Sequence, residues 1–295
     1  MNTRRKSSLP LPTTDARTID RLLAAARSRL AAAGIEQPGL EARLLVGHAL
    51  RMDSAGLIAH GGRQVTDPQV DAVCAMVAQR AVGHPIAHLL GRREFWSLPL
   101  EVDQRCLIPR PETERLVERA LLRIPAGPAR VLDVGTGSGA IILALKAECH
   151  RLQAWGCDIS AGALAVAAAN ATRLGLPVQW FRGRWLEAVA PRPQFDLIVS
   201  NPPYVDASDP HLQTGDLRFE PRGALVAGDS GLADLIAIAE QARARLAPGG
   251  WLLLEHGHDQ GKAVRTRLAR IGYLDVQSHT DLLGHERVTE GRLAG

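Results

Sequence analysis

The sequence predicts an α/β protein in which a small helical N-terminal domain is joined by a β-hairpin to a seven-stranded, mainly parallel sheet. Two observations predict this class. Residues 18–87 carry short helical patterns, and from Ala129 onward strand-like apolar runs alternate with helix-length segments. Such alternation is typical of a parallel sheet that is covered by helices on both faces and binds ligands at the carboxyl ends of its strands.

Length and composition are those of a globular, cytoplasmic protein. The 295 residues suffice for one large domain and a smaller one. No apolar run approaches the roughly 18 residues of a membrane span, and prolines near the start of the chain argue against a secretory signal. We therefore predict a disordered leader over residues 1–17. The four cysteines show no C-x-x-C spacing, which favours neither a disulfide framework nor a metal site.

The net charge of +4 is concentrated in the first part of the chain. Residues 1–125 contain 18 Lys and Arg against 13 Asp and Glu. A basic region of this kind is typical of proteins that bind nucleic acid or a ribosome-associated partner, but it is also typical of a helical surface that simply faces solvent. Both interpretations stay open at this point.

The helical patterns of residues 18–87 predict a small accessory domain. Apolar residues from Ile19 to Leu30 share one helical face, and Gly34 ends that helix. Two more helical patterns follow over residues 38–50 and 66–83. Because none is long enough to bury its apolar stripe alone, we expect these helices to pack together.

Residues 88–125 connect the two predicted domains, and the second domain covers residues 126–295. Short alternating segments around Leu98 predict the hairpin, and "RLVERALLRI" predicts a bridging helix. In the second domain, strands are predicted at 129–134, 152–157, 177–182, 194–200, 249–255, 273–278 and 286–290, and helices at 139–148, 160–174, 231–246 and 258–271.

A glycine-rich loop follows the first of these strands. Gly135, Gly137 and Gly139 let backbone N–H groups approach a ligand closely. A dinucleotide loop would have its third glycine at position 140, which is Ala140; alanine is sometimes tolerated there, so NAD(P) stays open. The carboxylate of Asp133 would repel a pyrophosphate but suits a cationic amino-acid group. This combination favours S-adenosylmethionine, which has no phosphate and carries an ammonium and a sulfonium.

Two further residues suit a bound nucleoside. Asp158 ends the second strand, where an acid accepts hydrogen bonds from ribose hydroxyls; the alternative is a helix cap before Ser160. Trp185 follows the third strand, where it could stack on or edge an adenine. The alternative for Trp185 is a place in the core.

The stretch "NPPY", Asn201 to Tyr204, ends the fourth strand in a rigid segment that is poor in N–H donors. An amide nitrogen is a poor nucleophile, so it must be held by its hydrogens for in-line attack on a methyl. Asn201 Oδ1 and the Pro202 carbonyl could accept those two hydrogens, and Tyr204 could cover the planar group by stacking. The alternative is a structural Pro-Pro turn.

With these motifs, residues 129–291 resemble class I S-adenosylmethionine-dependent methyltransferases of the N-P-P-Y amino-methylating group. That group includes DNA adenine, RNA guanine and protein glutamine methyltransferases, so "NPPY" does not choose the substrate. "GRREFWSLPLEVDQRCLIPRPETERLVE" and "GGWLLLEHGHDQG" closely resemble the release factor glutamine methyltransferases of the HemK/PrmC type. The related enzymes that act on a large-subunit ribosomal protein share "NPPY" but differ at "LIPRPETE".

The resemblance implies a Rossmann-like methyltransferase fold, S-adenosylmethionine as cofactor and class I peptide chain release factors as partners. It implies that residues 18–87 recognise the substrate, and that Asn201, Pro202, Pro203 and Tyr204 hold the glutamine of a Gly-Gly-Gln loop. Separately from the resemblance, we predict a monomer that does not bind membranes and does not bind nucleic acid directly. The implied cofactor contacts are Gly135, Thr136, Gly137, Ser138, Gly139, Asp158, Trp185 and Asn201.

One position departs from the family pattern. Many members have an acid before the tryptophan, where it can accept the hydrogens of the adenine amino group, and here that residue is Arg184. Arginine has no acceptor, so either another residue accepts these hydrogens or the affinity for the cofactor is somewhat lower. Arg110 and Glu112 lie in a segment that should border the cofactor, but the resemblance assigns them no individual role.

Two alternative functions stay open. "NPPY" and the basic N-terminal part also suit a nucleic-acid amino-methyltransferase, although only 4% of the residues are aromatic and available for stacking a base. A non-catalytic cofactor-binding module would have no need of both motifs.

Weaker expectations concern other residues: His256 and His258 as solvent-facing, Phe219, Glu220 and Arg222 as a substrate-side wall, and Phe95 and Trp96 as core of the small domain.

Overall fold

A computed structural model describes residues 17–192, 194–213, 215–228 and 231–295. The predicted leader lies outside these residues except for Arg17. The chain divides into two compact units, one ending at Leu90 and the other beginning at Gly91. Each is described by itself.

The first unit is a helical bundle with its own apolar core. Ile19, Leu22 and Leu30 lie on the buried face of the first helix, as the sequence predicted, and Gly34 beyond that helix has the expected positive φ of 78°. Its helices are α1 (Ile19–Ala32), α2 (Pro38–Leu50), α3 (Ser54–Ala59), α4 (Asp67–Ala81) and α5 (Ile86–Leu90).

A nearly buried ion pair joins two helices of this bundle. Arg80 of α4 donates to both carboxylate oxygens of Glu41 in α2, at 2.5 and 3.1 Å. A forked pair of this geometry fixes orientation as well as adding electrostatic attraction. It therefore holds α4 in register against α2.

The second unit begins with a hairpin whose turn contains no glycine. Strands β1 (Arg92–Phe95) and β2 (Leu98–Glu101) pair antiparallel, and Trp96 and Ser97 have φ of 51° and 57°. These left-handed angles suit the twist of a two-residue hairpin but usually require Gly or Asn. The Trp96 backbone N–H donates to Glu114 and its indole N–H to Glu148, which holds the turn in place.

The main sheet has seven strands in the order β10-β11-β9-β6-β3-β4-β5, and this confirms the predicted fold class. Six strands run in the same direction, and β11, which lies between β9 and β10, runs antiparallel to both. The short strands β7 and β8 pair separately with each other. The strands are β3 (Arg130–Val134), β4 (Gln153–Asp158), β5 (Gln179–Arg182), β6 (Phe195–Ser200), β7 (Val205–Asp206), β8 (Val226–Ala227), β9 (Leu246–Glu255), β10 (Leu274–Thr280) and β11 (Glu286–Arg292).

Helices cover both faces of this sheet. One core cluster packs the hairpin, α6 and α7 against one face, and a second packs α9 and α10 against the other. Central strands such as β3 and β6 are therefore buried on both sides and read as continuous apolar runs. The helices are α6 (Glu114–Leu121), α7 (Ala140–Glu148), α8 (Ala161–Leu174), α9 (Ala233–Ala242) and α10 (Gly261–Ile271).

The strand order reverses between β3 and β6. From β3 the chain proceeds outward through β4 and β5, and then returns to the other side of β3 as β6. The loops after β3 and β6 consequently diverge and leave a crevice at the carboxyl ends of the strands, where open α/β sheets bind ligands. In the part of the chain that the structure describes, no helix combines the length and apolar character of a membrane span.

Candidate active site

A cavity of about 360 Å³ lies at this reversal of strand order. Its walls come from the loops after β3, β4, β5 and β6, from the segment before α6 and from the start of α9. The lining residues are Arg105, Cys106, Leu107, Gly135, Gly137, Asp158, Ile159, Ser160, Ala163, Gly183, Arg184, Trp185, Asn201, Pro203, Pro221, Gly223, Ala224 and Asp234.

The glycine loop presents two of its five predicted contact residues to this cavity. Gly135 and Gly137 line it, with φ of 72° and 55° that L side chains rarely adopt. Thr136 and Ser138 are buried beneath the loop, and Gly139 is the N-cap of α7. The loop therefore exposes bare backbone to the cavity, as a closely approaching ligand requires.

Asp133 supports the loop from below. Its carboxylate is fully buried and accepts a hydrogen bond of 2.6 Å from the Thr136 hydroxyl. Burial raises the pKa of Asp133 to about 7, although the hydroxyl acts in the opposite direction. Asp133 is not among the cavity-lining residues, whereas the sequence predicted that its carboxylate meets a cationic ligand there.

Asp158 stands at the cavity wall, at the end of β4. Its Oδ2 accepts from the Gly137 N–H at 3.0 Å and its Oδ1 from the Ser160 N–H at 2.8 Å. Burial raises the pKa of Asp158, while these N–H groups lower it. The cap of α8 is Ser160 itself, whose side chain accepts from Ala163. The interpretation of Asp158 as that cap is therefore wrong.

Trp185 lines the cavity beside Gly135 of the glycine loop. Its ring edge lies 3.5 Å from the position that a Cβ on Gly135 would occupy, and its backbone has an unusual φ of 50°. The ring also packs against the second core cluster. Trp185 thus faces both the cavity and the core.

A carboxylate that the sequence analysis missed lies beside this tryptophan. Asp234, in the first turn of α9, lines the cavity with a side chain only 15% exposed. Its Oδ1 is 3.9 Å from Nη2 of Arg184, whose side chain is 62% exposed. Burial raises the pKa of Asp234, and the charge of Arg184 and the indole of Trp185 lower it. Asp234 therefore brings an acceptor to the region where Arg184 offers none.

The "NPPY" segment stands at the end of β6. Asn201 and Pro203 line the cavity, and Pro202 is buried. Asn201 Nδ2 donates to Oγ1 of Thr113 at 3.2 Å, so the amide oxygen is the end left available to a ligand. The Tyr204 hydroxyl lies 3.4 Å from Glu255, and Tyr204 is not among the lining residues.

The segment before α6 is tied to the loop that follows "NPPY". Glu220 is buried, accepts from the Ile108 N–H at 2.9 Å and forms an ion pair with Arg110. The cavity-lining segments Cys106–Leu107 and Pro221–Ala224 are next to these anchoring residues in the chain. Glu220 thus has a structural role behind the wall that it was expected to form.

Two weaker expectations are wrong. His256 is fully buried, not solvent-facing: its Nε2 lies 2.8 Å from Thr289 Oγ1, and burial lowers its pKa. His258 is exposed, as expected. Phe95 and Trp96 pack in a core of the second unit, not of the helical unit.

The described residues contain no group of three or more His, Cys, Asp or Glu side chains placed to hold a metal ion.

Comparisons with known proteins identify the family. Residues 21–91 match the PrmC N-terminal domain, and residues 116–219 match the methyltransferase small domain. The chain is 50% identical to the release factor glutamine methyltransferase of Xylella fastidiosa strain Temecula1, over 93% of this chain and 98% of that protein. It is 48% identical to the protein of the same name from Escherichia coli strain K12, over 87% and 93%. This chain belongs to the release factor glutamine methyltransferase family.

The fold of this family member is shared more widely. A methyltransferase from Pyrococcus furiosus matches with a TM-score of 0.52 at 19% identity, over 67% of this chain and 90% of that one. Similarity at this level shows the common sheet architecture alone.

Proposed function

We propose that this enzyme transfers the methyl group of S-adenosylmethionine to the side-chain amide nitrogen of the glutamine in the Gly-Gly-Gln loop of class I peptide chain release factors. The observation that carries the proposal is the Asn201 carboxamide at the cavity wall, with its nitrogen bonded to Thr113 and its oxygen left for a substrate N–H. Family membership supports the same substrate. We expect the enzyme to act as a monomer in the cytoplasm.

The cavity fits S-adenosylmethionine. Gly135 and Gly137 offer backbone without side chains, Asp158 supplies acceptors for ribose hydroxyls, and Trp185 offers a ring face or edge to the base. When bound, the cofactor supplies an electrophilic methyl on a sulfonium, so that the N–C bond forms as the S–C bond breaks and a neutral thioether leaves.

Asp234 is our candidate acceptor for the adenine amino group. It is the carboxylate nearest Trp185 and Arg184 on the cavity wall. The ion pair with Arg184 is long, and the Arg184 side chain is largely exposed to solvent, so the pair is weak. The carboxylate therefore keeps the capacity to accept a hydrogen bond from a base.

The protein's contribution to methyl transfer is alignment. Asn201 Oδ1 and the Pro202 carbonyl would accept the two hydrogens of the glutamine amide, which points the nitrogen at the methyl group. Proximity and orientation of this kind can supply a large part of a rate enhancement. The methylated nitrogen is a strong acid until it loses one proton, so water suffices as the acceptor.

The test is transfer of labelled methyl from S-adenosylmethionine to three parallel substrates. These are a purified release factor, the same factor with its Gly-Gly-Gln glutamine changed to alanine, and bulk DNA and RNA. We expect label on the intact factor only. Label on the alanine form would refute the residue assignment, and label on nucleic acid alone would favour the nucleic-acid alternative.

A further inference from the structure

We infer that Thr113 and Glu255 are positioning residues, which hold the Asn201 carboxamide with its oxygen toward the substrate. The inference rests on the proposed function, because it concerns the same amide clamp. By this name we mean Asn201 Oδ1 and the Pro202 carbonyl, which would accept the two hydrogens of the glutamine amide. Neither residue lines the cavity, so both act through Asn201.

A carboxamide has two ends of nearly equal shape but opposite hydrogen-bonding character. If Asn201 turned over, it would present N–H donors to the N–H donors of the substrate amide. Thr113 prevents this by accepting from Asn201 Nδ2 at 3.2 Å. The contact is well protected from water, because Thr113 is only 4% exposed.

A hydroxyl that accepts from Asn201 must place its own hydrogen on another acceptor. We assign this acceptor to Glu255, at the end of β9: its carboxylate is 0% exposed, its Oε2 has no other hydrogen-bond partner among the described residues, and the Thr113 hydroxyl lowers its pKa. The Tyr204 hydroxyl approaches the same carboxylate at 3.4 Å. An ionised carboxylate only accepts, so it fixes the direction of both hydroxyl groups and, through Thr113, of Asn201.

This chain of hydrogen bonds depends on pH. Burial raises the pKa of Glu255 to about 7, with Glu112 acting in the same direction and Thr113, Arg287 and Tyr204 against it. Below that pH the protonated acid can donate to Thr113, which releases the hydroxyl hydrogen toward Asn201. The clamp is therefore correctly oriented above about pH 7 and progressively disordered below it.

The first test compares Thr113→Val, which keeps the shape of the side chain but removes the hydroxyl, with Thr113→Ser, which retains it. Thr266, exposed on α10, provides the matched control Thr266→Val. With release factor as substrate, we expect Thr113→Val to lower kcat by about 10- to 100-fold. We expect the dissociation constant of Thr113→Val for S-adenosylhomocysteine to change by less than about twofold, since neither Thr113 nor Glu255 lines the cavity. Thr113→Ser should restore most of kcat. A folded Thr113→Val enzyme with unchanged kcat, or a serine variant as slow as valine, would overturn the inference.

The second test is the pH profile of kcat. The wild-type rate should rise with pH through about 7, and Glu255→Gln should abolish that rise. Asp133 also has a pKa of about 7, and its titration could alter cofactor binding. The dissociation constant of S-adenosylhomocysteine is therefore measured over the same pH range in both proteins, which separates an effect on binding from an effect on kcat. Identical kcat profiles for wild type and Glu255→Gln would refute the role of Glu255.

Asn201→Ala distinguishes this inference from the proposed function. An inactive Asn201→Ala beside a fully active Thr113→Val would refute the positioning role and leave the clamp intact. An active Asn201→Ala would refute the clamp and the inference together.

Discussion

Removing the Asp234 carboxylate should weaken binding of the adenine base. A hydrogen bond to a charged group contributes about 1.5–3 kcal/mol, and the partly exposed position of Asp234 favours the lower half of that range. At about 1.4 kcal/mol per tenfold change, Asp234→Ala should raise the dissociation constant of S-adenosylhomocysteine by about 10- to 40-fold. Glu240→Ala, an exposed change on the same helix, should leave it unchanged.

Calorimetric titration with two ligands isolates the contact. The second ligand is the analogue whose base is unsubstituted purine, so that it lacks only the amino group. The wild-type enzyme should bind S-adenosylhomocysteine more tightly than this analogue by about 10- to 40-fold, the same factor by which Asp234→Ala weakens binding. The variant should bind both ligands equally. If Asp234→Ala weakens binding but keeps the full preference for adenine, the carboxylate does not meet the amino group and the reasoning is refuted.

Three further predictions concern other parts of the site. Asn201→Ala should abolish methyl transfer but leave S-adenosylhomocysteine binding within about threefold, because the bound cofactor has its other contacts; comparable loss of binding in a titration would contradict the clamp. Trp185→Ala should raise the cofactor dissociation constant by about tenfold through lost contact with the base, and an unchanged value would assign this side chain to the core alone. Gly139→Ala should lower the melting temperature, since its Cβ would lie 3.1 Å from Leu143 and 3.2 Å from Ala167 at a φ of 84°; an unaltered melting curve would show that the loop can rearrange.

The strands of the main sheet were predictable because a strand that is buried on both faces consists largely of consecutive apolar residues. All seven predicted strands are present. Among the boundaries of these strands, the largest error is at the start of β9, which was predicted at residue 249 but lies at Leu246. The stretch "PGG" is typical of a chain break before a strand. In the structure Gly249, with φ of 75°, lies within β9, close to a shift in the pairing register between β9 and β6. Glycine in a strand often marks such an irregularity.

The motifs identified Gly135, Asp158, Trp185 and Asn201, which all line the cavity. Their signal is local, because each stands at the end of a strand or within a few residues of it, and these strand ends define the same edge of the sheet. The residues that were missed carry no such signal. Asp234 reaches the cavity from the start of a helix, and its acidic side chain there reads simply as a favourable helix N-terminus. A search for carboxylates in first turns that face the strand ends could have found it.

Buried polar residues were the hardest to predict. His256 sits among polar residues in "EHGHD" and resembles part of an exposed loop. Its burial depends on β11, whose Thr289 provides a hydrogen-bond partner 33 positions later in the chain. Thr113 and Glu255 likewise have partners that only the tertiary structure brings near.

The hydrogen bond between Asn201 and Thr113 joins residues 88 positions apart, and Tyr204 meets Glu255 across another 51. Contacts of such separation form only after long loops have closed, so they follow the local structure in time. A nascent chain carries the glycine loop and "NPPY" well before it carries Glu255. During synthesis the hydrogen bond between Tyr204 and Glu255 can therefore form only after the chain has extended through β9.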